Sequence, residues 1–245
     1  MVLLAVFLAA LFFLPAEGLA ALMALVAALG GYEWALLCGV PRALARVYAA
    51  GVVLVLAALF FLQLAVPALA AACAFWILVV PAWLALGVKA AQRPLLLAAG
   101  FVVLVPAALA MVVLDPLTAL LALGVAWIGD TTAYYVGRRW GRHKLAPAIS
   151  PGKTWEGAAG ALIGGAAYAM IISVFLENIP MVLVGVAALL VALSIVGDLF
   201  ESAAKRQAGV KDSGTLLPGH GGVLDRIDSA TAVLPVAAML VAFAR

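Results

Sequence analysis

The stretch Ser202–Asp228 gathers Lys205, Arg206, Lys211, Asp212, His220, Asp225, Arg226 and Asp228 in a chain where only 10% of residues are charged. Cations of this kind bind phosphate oxygens, and carboxylates bind a hard divalent metal. The glycines Gly219, Gly221 and Gly222 let backbone approach a ligand closely. Those three capacities together describe a site that handles nucleotide phosphates. Asp225 and Asp228 are three apart, so both can face one point if the segment is helical. His220 suits acid–base work and suits a positioning hydrogen bond equally well.

Three further segments supply candidates. Asp198, Ser202 and Lys205 fall at i, i+4 and i+7, one stripe of a helix, while Glu201 and Lys205 form an i,i+4 pair that could be purely structural. Asp198 lies deeper in apolar sequence, where a lone carboxylate is expensive, so a metal role is expected for it. Asp130 and Tyr134 share a helical face; either they make an interhelical hydrogen bond or Asp130 holds a metal or a substrate hydroxyl. In Ser150-Pro-Gly-Lys-Thr-Trp-Glu-Gly157, Ser150 or Thr154 reads as a helix cap, with Glu156 nearby and Lys153 adding positive charge. Such a helix start attracts anions; the plainer alternative is a capped helix with a solvated lysine.

The elements that must position these residues are membrane helices. The chain has 245 residues, 68% of them hydrophobic, which excludes a soluble domain with a single anchor. A span takes roughly 20 apolar residues, so an all-α, polytopic bundle is expected. Breaks in the apolar runs suggest about nine spans near 1–14, 18–40, 46–65, 67–88, 94–114, 116–137, 157–175, 180–204 and 227–244. The first reads as an uncleaved span, short and without the basic flank a first span usually carries, which leaves room for residues upstream. Residues 1–115 would form an N-terminal group of about five spans, and 116–245 a catalytic region with long polar loops at 138–156 and 205–226. Cys38 and Cys73 have no metal-like spacing and read as small buried hydrophobes.

The cations alternate. Arg42 and Arg46, then Lys89 and Arg93, then Arg138, Arg139, Arg142, Lys144 and Lys153, then Lys205, Arg206, Lys211 and Arg226 occupy every second connection. The connections around Ala16, Val66, Asp115 and Glu177 have none, and only Arg245 remains on that side. The positive-inside rule assigns the basic connections and the N-terminus to the cytoplasm. No inverted repeat of the transporter kind is evident, and nothing points to a nucleic-acid partner.

Ser202–Asp228 resembles the defining motif of the phosphatidate cytidylyltransferases, or CDP-diacylglycerol synthases: Ser, a gap, Lys-Arg, four residues, Lys-Asp, then Pro-x-His-Gly-Gly and Asp-Arg-x-Asp. Asp130 with Ala133-Tyr134, and the Ser150–Gly157 loop, are similar to the family's other landmarks, with a weaker likeness at Tyr32-Glu33-Trp34. Two departures stand out: Ala204 replaces a bulky aliphatic, and Gly152 replaces a lysine, which leaves Lys153 to supply that charge.

The resemblance implies CMP transfer from CTP to phosphatidate, giving CDP-diacylglycerol and pyrophosphate in phospholipid biosynthesis at the inner membrane of a bacterium. It implies Mg²⁺ on Asp198, Asp225 and Asp228, with room for a second, monovalent cation. Lys153, Lys205, Arg206, Lys211 and Arg226 would meet the CTP phosphates and the lipid headgroup, with Asp212 beside them. The turn at Gly219, Gly221 and Gly222 would border the nucleotide, helped by Ser150, Thr154, Ser202, Asp130 and Tyr134. A homodimer is compatible with this reading. The alternatives are a CTP-dependent lipid kinase and, from another class, an anion transporter.

Overall fold

The computed structural model describes residues 2–175, 182–216, 219 and 221–244. His220, Glu177, Arg245 and the first residues of the span expected at 180–204 lie outside them. The described chain is an all-helical bundle of membrane-spanning type with one small hairpin. Its helices are α1 (Val2–Phe13), α2 (Ala16–Leu37), α3 (Arg42–Phe61), α4 (Ala65–Leu86), α5 (Arg93–Val113), α6 (Pro116–Trp140), α7 (Trp155–Phe175), α8 (Val182–Gln207) and α9 (Leu224–Ala244). From α2 to α9 each is long and apolar enough to cross a bilayer. The 12 residues of α1 are not, since at ~1.5 Å per residue they fall well short of a ~30 Å hydrocarbon core. Among the described residues the nine expected helices are therefore present, and eight of them have the length of a span.

Local chemistry explains the breaks. Asp115 caps α6 by accepting from the Thr118 N–H at 2.9 Å, and Pro116 starts the helix where no N–H is needed. Helix α4 passes through a π-helical turn at Phe75–Val79, next to Pro81, whose ring cannot continue the ordinary ladder. Helix α8 ends in a Schellman turn: the Val210 N–H reaches the Lys205 carbonyl and the Gly209 N–H reaches the Arg206 carbonyl. Gly209 supplies the left-handed φ of 75° that this turn requires.

Lipid offers little hydrophobic drive between helices, so packing depends on close approach and shape. Behind the polar end of α8, Phe200 is fully buried among Trp34 of α2 and Phe75, Trp76 and Trp83 of α4, with ring centroids 5.4–6.0 Å apart. Each such pair contributes about 0.5–1.5 kcal/mol, so this cluster fixes α8 against the N-terminal helices. On its other side α8 meets α9 at Gly197, where an added Cβ would lie 2.7 Å from the Asp228 carbonyl.

The basic connections converge at one end of the bundle. Gln207, closing α8, donates to the Leu37 carbonyl at the end of α2 (2.8 Å) and accepts from Arg93 at the start of α5 (3.2 Å). Arg206 donates to the Ile149 carbonyl between α6 and α7 (3.1 Å). The alternation of cations in sequence thus becomes a single charged face in space. A feature absent from the all-α expectation lies on this face: Lys144–Ala146 (β1) pairs antiparallel with Ser150–Thr154 (β2), with Lys144 opposite Thr154 and Ala146 opposite Ser150. Four contacts brace it against the start of α7: the Trp155 N–H donates to the His143 carbonyl, and Glu156 accepts from the Arg142 and His143 N–H groups and pairs with the His143 ring at 2.6 Å.

Candidate active site

The hairpin serves the site by aiming Lys153. Strand pairing and the Thr154 cap, whose Oγ1 accepts from the Gly157 N–H at 3.1 Å, hold this segment in place. Lys153 Nζ then sits 2.6 Å from Asp198 Oδ2, with each side chain about a quarter exposed. The other oxygen of Asp198 accepts from Ser202 Oγ at 3.2 Å, so the stripe expected along α8 is real. Lys153 is therefore not a solvated lysine; its loop reaches back over the end of the bundle.

Asp130 sits ten residues before the end of α6, roughly 15 Å along the helix axis, yet it is solvent-accessible. Ser194 of α8 and Ser229 of α9, both buried, each donate to it at 3.3 Å. Asp198 and Lys153 act electrostatically on both Asp130 and Asp228. Carboxylates from three helices thus lie close together: Asp198 pairs with Lys153, and Asp130 accepts from Ser229, the residue next to Asp228.

A second, more deeply buried group adjoins it. Lys205 Nζ lies 2.6 Å from Asp225 Oδ1 and 3.4 Å from Glu201 Oε2, and all three side chains are nearly buried. Asp225 Oδ2 accepts from the Ser213 N–H and Oγ, both at 3.0 Å, and from the Gly222 N–H at 2.8 Å. Asp225 and Asp228, three apart on α9, therefore do not converge on one ion. Asp225 is saturated by Lys205 and by the loop; Asp228 accepts from the Ser229 N–H through Oδ1 at 2.7 Å.

This bears on the metal. Among the described residues no group of three or more His, Cys, Asp or Glu side chains is arranged as a complete metal cage. Mg²⁺ needs no such cage, because one or two carboxylates with substrate phosphates and water complete its shell. Asp198, its side chain 28% exposed, and Asp228, brought level with it by the close contact at Gly197, fit that requirement; Asp225, 8% exposed and held by Lys205 and the loop, is closed off from solvent. Counting Glu201, five carboxyl groups share this end of the bundle with two lysines, Lys153 and Lys205.

The remaining expected residues divide by exposure. Lys211, Asp212, Arg226 and Gly219 are exposed along the loop and the start of α9. Gly219 and Gly221 adopt left-handed φ values of 74° and 81°, the turn their type predicts. Arg206 is committed in part to the carbonyls of Ile149 and Val210. Ser150 lies at the start of β2, half-buried. Tyr134 is exposed and its hydroxyl accepts from Arg138 at 2.9 Å, so it does not join Asp130. His220 is outside the described residues. Of the two departures from the motif, Ala204 is wholly buried, and Gly152 has open space where a side chain would begin.

Residue-by-residue reading missed Ser194, Ser213 and Ser229, whose hydroxyls serve the carboxylates, because nothing local marks a serine that hydrogen-bonds across helices. Glu33 drew notice only through a weak likeness, yet its carboxylate is buried beside the loop.

Comparisons with known proteins give the family. The model of the Cytidylyltransferase family matches residues 1–244. A phosphatidate cytidylyltransferase of Pseudomonas aeruginosa is 42% identical over an alignment covering 98% of this chain and 93% of the relative. Proteins of the same name from Haemophilus influenzae and Staphylococcus saprophyticus are 49% and 47% identical over 45% and 48% of this chain, and 41% and 46% of their own lengths. With the family's model spanning almost every residue and a relative aligned nearly end to end, the chain belongs to the cytidylyltransferase family.

Proposed function

We propose that this protein transfers CMP from CTP to phosphatidate, giving CDP-diacylglycerol and pyrophosphate, at the cytoplasmic face of a bacterial inner membrane. The observation that carries this reading is the partly exposed Lys153–Asp198 pair at the charged end of a membrane bundle, with Asp130 of α6 and Asp228 of α9 close by. A phosphate-bearing lipid stays in its leaflet there while a soluble nucleotide arrives from water.

The lipid phosphomonoester oxygen attacks the α-phosphorus of CTP, and the bond to the β-phosphate oxygen breaks. No protein nucleophile is required. The protein's task is to bring two anions together and hold them in line. Lys153 binds a phosphate oxygen when it leaves Asp198, and Lys211 and Arg226 offer exposed cations to the triphosphate. Lys205 contributes differently: its charge neutralises Asp225 and Glu201 and holds the loop's floor. Asp198 and Asp228 would hold Mg²⁺, which when bound neutralises phosphate charge and stabilises departing pyrophosphate.

Purified protein in detergent with labelled CTP, phosphatidate and Mg²⁺ tests the reaction. Label should enter the organic phase only when phosphatidate is present, with one pyrophosphate released per lipid labelled. Formation of CDP and a phosphorylated lipid without cytidine in it would refute the reading.

A further inference from the structure

Glu33 lies in α2, 1% exposed, within apolar surroundings where an ionisable side chain is costly unless it is well paired. Its partners come from the far end of the sequence. Oε1 accepts from the Val223 N–H at 3.0 Å; Oε2 accepts from the Leu224 N–H at 2.9 Å and from Ser213 Oγ at 3.0 Å. Leu224 is the first residue of α9, so Glu33 caps that helix from another helix, at the end where the backbone dipole favours an anion. The Ser213 hydroxyl lies equally close to Asp225 Oδ2, which in turn meets Lys205. A continuous polar chain thus runs from α2 through the 208–223 loop to α9 and α8.

The fit is tight as well as polar. A Cβ on Gly214 would lie 2.5 Å from Glu33 Oε1, and one on Gly222 would lie 2.5 Å from Oε2. The loop folds over the carboxylate only because both positions lack a side chain. We propose that Glu33 is a positioning residue for catalysis: by holding Ser213 and Gly214 at one side and Gly222 and Val223 at the other, it latches the loop so that Lys211 and the loop glycines are set for the nucleotide before CTP arrives. The N-terminal helices then contribute to the site by shaping it and not by touching substrate. This rests on the reading above that the loop borders CTP, and the test separates the two.

Steady-state kinetics on Glu33→Ala, Gly214→Ala and the double variant decide it. Glu33→Ala should raise KM for CTP at least tenfold while KM for phosphatidate stays within twofold. Gly214→Ala, which pushes the carboxylate from its seat, should act in the same direction. In the double variant the added methyl meets no carboxylate, so the effects should be non-additive, with a KM no worse than that of Glu33→Ala alone. Glu33→Asp, which keeps the charge but shortens the reach, should fall between wild type and Glu33→Ala, and it replaces Glu33→Ala if that variant does not fold. Trypsin cleavage after Lys211 gives a readout independent of turnover: loss of the latch should speed it at least fivefold. Faster cleavage with no CDP-lipid from wild type would sustain the latch and sink the functional reading. A CTP KM within twofold of wild type in folded Glu33→Ala, equal loss for both substrates, additive effects or unchanged cleavage would each overturn the latch.

Discussion

Two aspartates three residues apart, Asp225 and Asp228, do different work because their neighbours differ. Asp225 is nearly buried and bound to Lys205, so Asp225→Asn leaves that ammonium beside Glu201 alone. Breaking a buried pair costs on the order of 3 kcal/mol, and the variant should unfold several degrees below wild type in a thermal scan in detergent. Asp198→Asn and Asp228→Asn should instead abolish turnover with little loss of melting temperature, and no excess of Mg²⁺ should recover it. Retained activity in Asp198→Asn at limiting Mg²⁺ would move the metal toward Asp130. Lys153→Ala should be milder in stability still, since its pair with Asp198 is partly exposed and worth about 1 kcal/mol or less. Losing a charge-assisted phosphate contact costs about 1.5–3 kcal/mol, so kcat/KM should fall roughly 10- to 150-fold. Unchanged kinetics would leave Lys153 as a structural partner of Asp198 with no phosphate to bind.

At the scale of elements, the site depends on how closely α8 and α9 approach. Gly197 permits the contact that brings Asp198 level with Asp228. A side chain there must push the helices apart, because it would meet backbone and not the flexible tip of a neighbour. Gly197→Val is expected to lose nearly all turnover and to weaken the response to Mg²⁺, while Gly185→Val, where the added carbon meets nothing, should change neither. Assays across a Mg²⁺ titration check both; equal behaviour of the two variants would show that helix spacing does not set the site. The hairpin between α6 and α7 plays the parallel role for Lys153, fixing by strand pairing a residue that the sequence places only in a polar loop.

For the whole molecule, the decisive property is sidedness. Four basic connections are tied to one end of the bundle through Gln207, Arg93 and Arg206, so whichever side receives one receives all. Positive loops resist translocation, and on that ground the proposed function sets that end in the cytoplasm. The short α1 leaves this unaffected, because the sides of α2–α9 follow from their own connections. Cysteines introduced at Arg142 and Val210, both exposed, should be shielded from an impermeant thiol reagent in intact cells and react after lysis. Background should be low: Cys38 is buried and its thiol is pushed up to about 12 by that burial, against the opposing pull of Arg93. Ready labelling of both from outside would reverse the orientation and with it the access of CTP.

Several features of this protein were legible in sequence because they are local or compositional. Apolar runs gave the helices, alternating cations gave the common face, and the spacing of Asp198, Ser202 and Lys205 gave a stripe that the structure keeps. Thr154 read correctly as a cap, and the glycines of the loop as a turn. Tertiary structure decided the rest, since it concerns pairs with no short-range signature. The Lys153–Asp198 contact joins the α6–α7 connection to α8 through a hairpin whose strands, three and five residues long, lie inside that polar connection. The division of labour between Asp225 and Asp228 follows from which neighbours reach each carboxylate, and helical spacing alone made them look alike. Glu33 is the clearest case: it sits in an apolar helix with its partners 180 to 191 residues away. Only folding brings a buried carboxylate to the unpaired N–H groups at the start of α9, and only then does its presence in the membrane make physical sense.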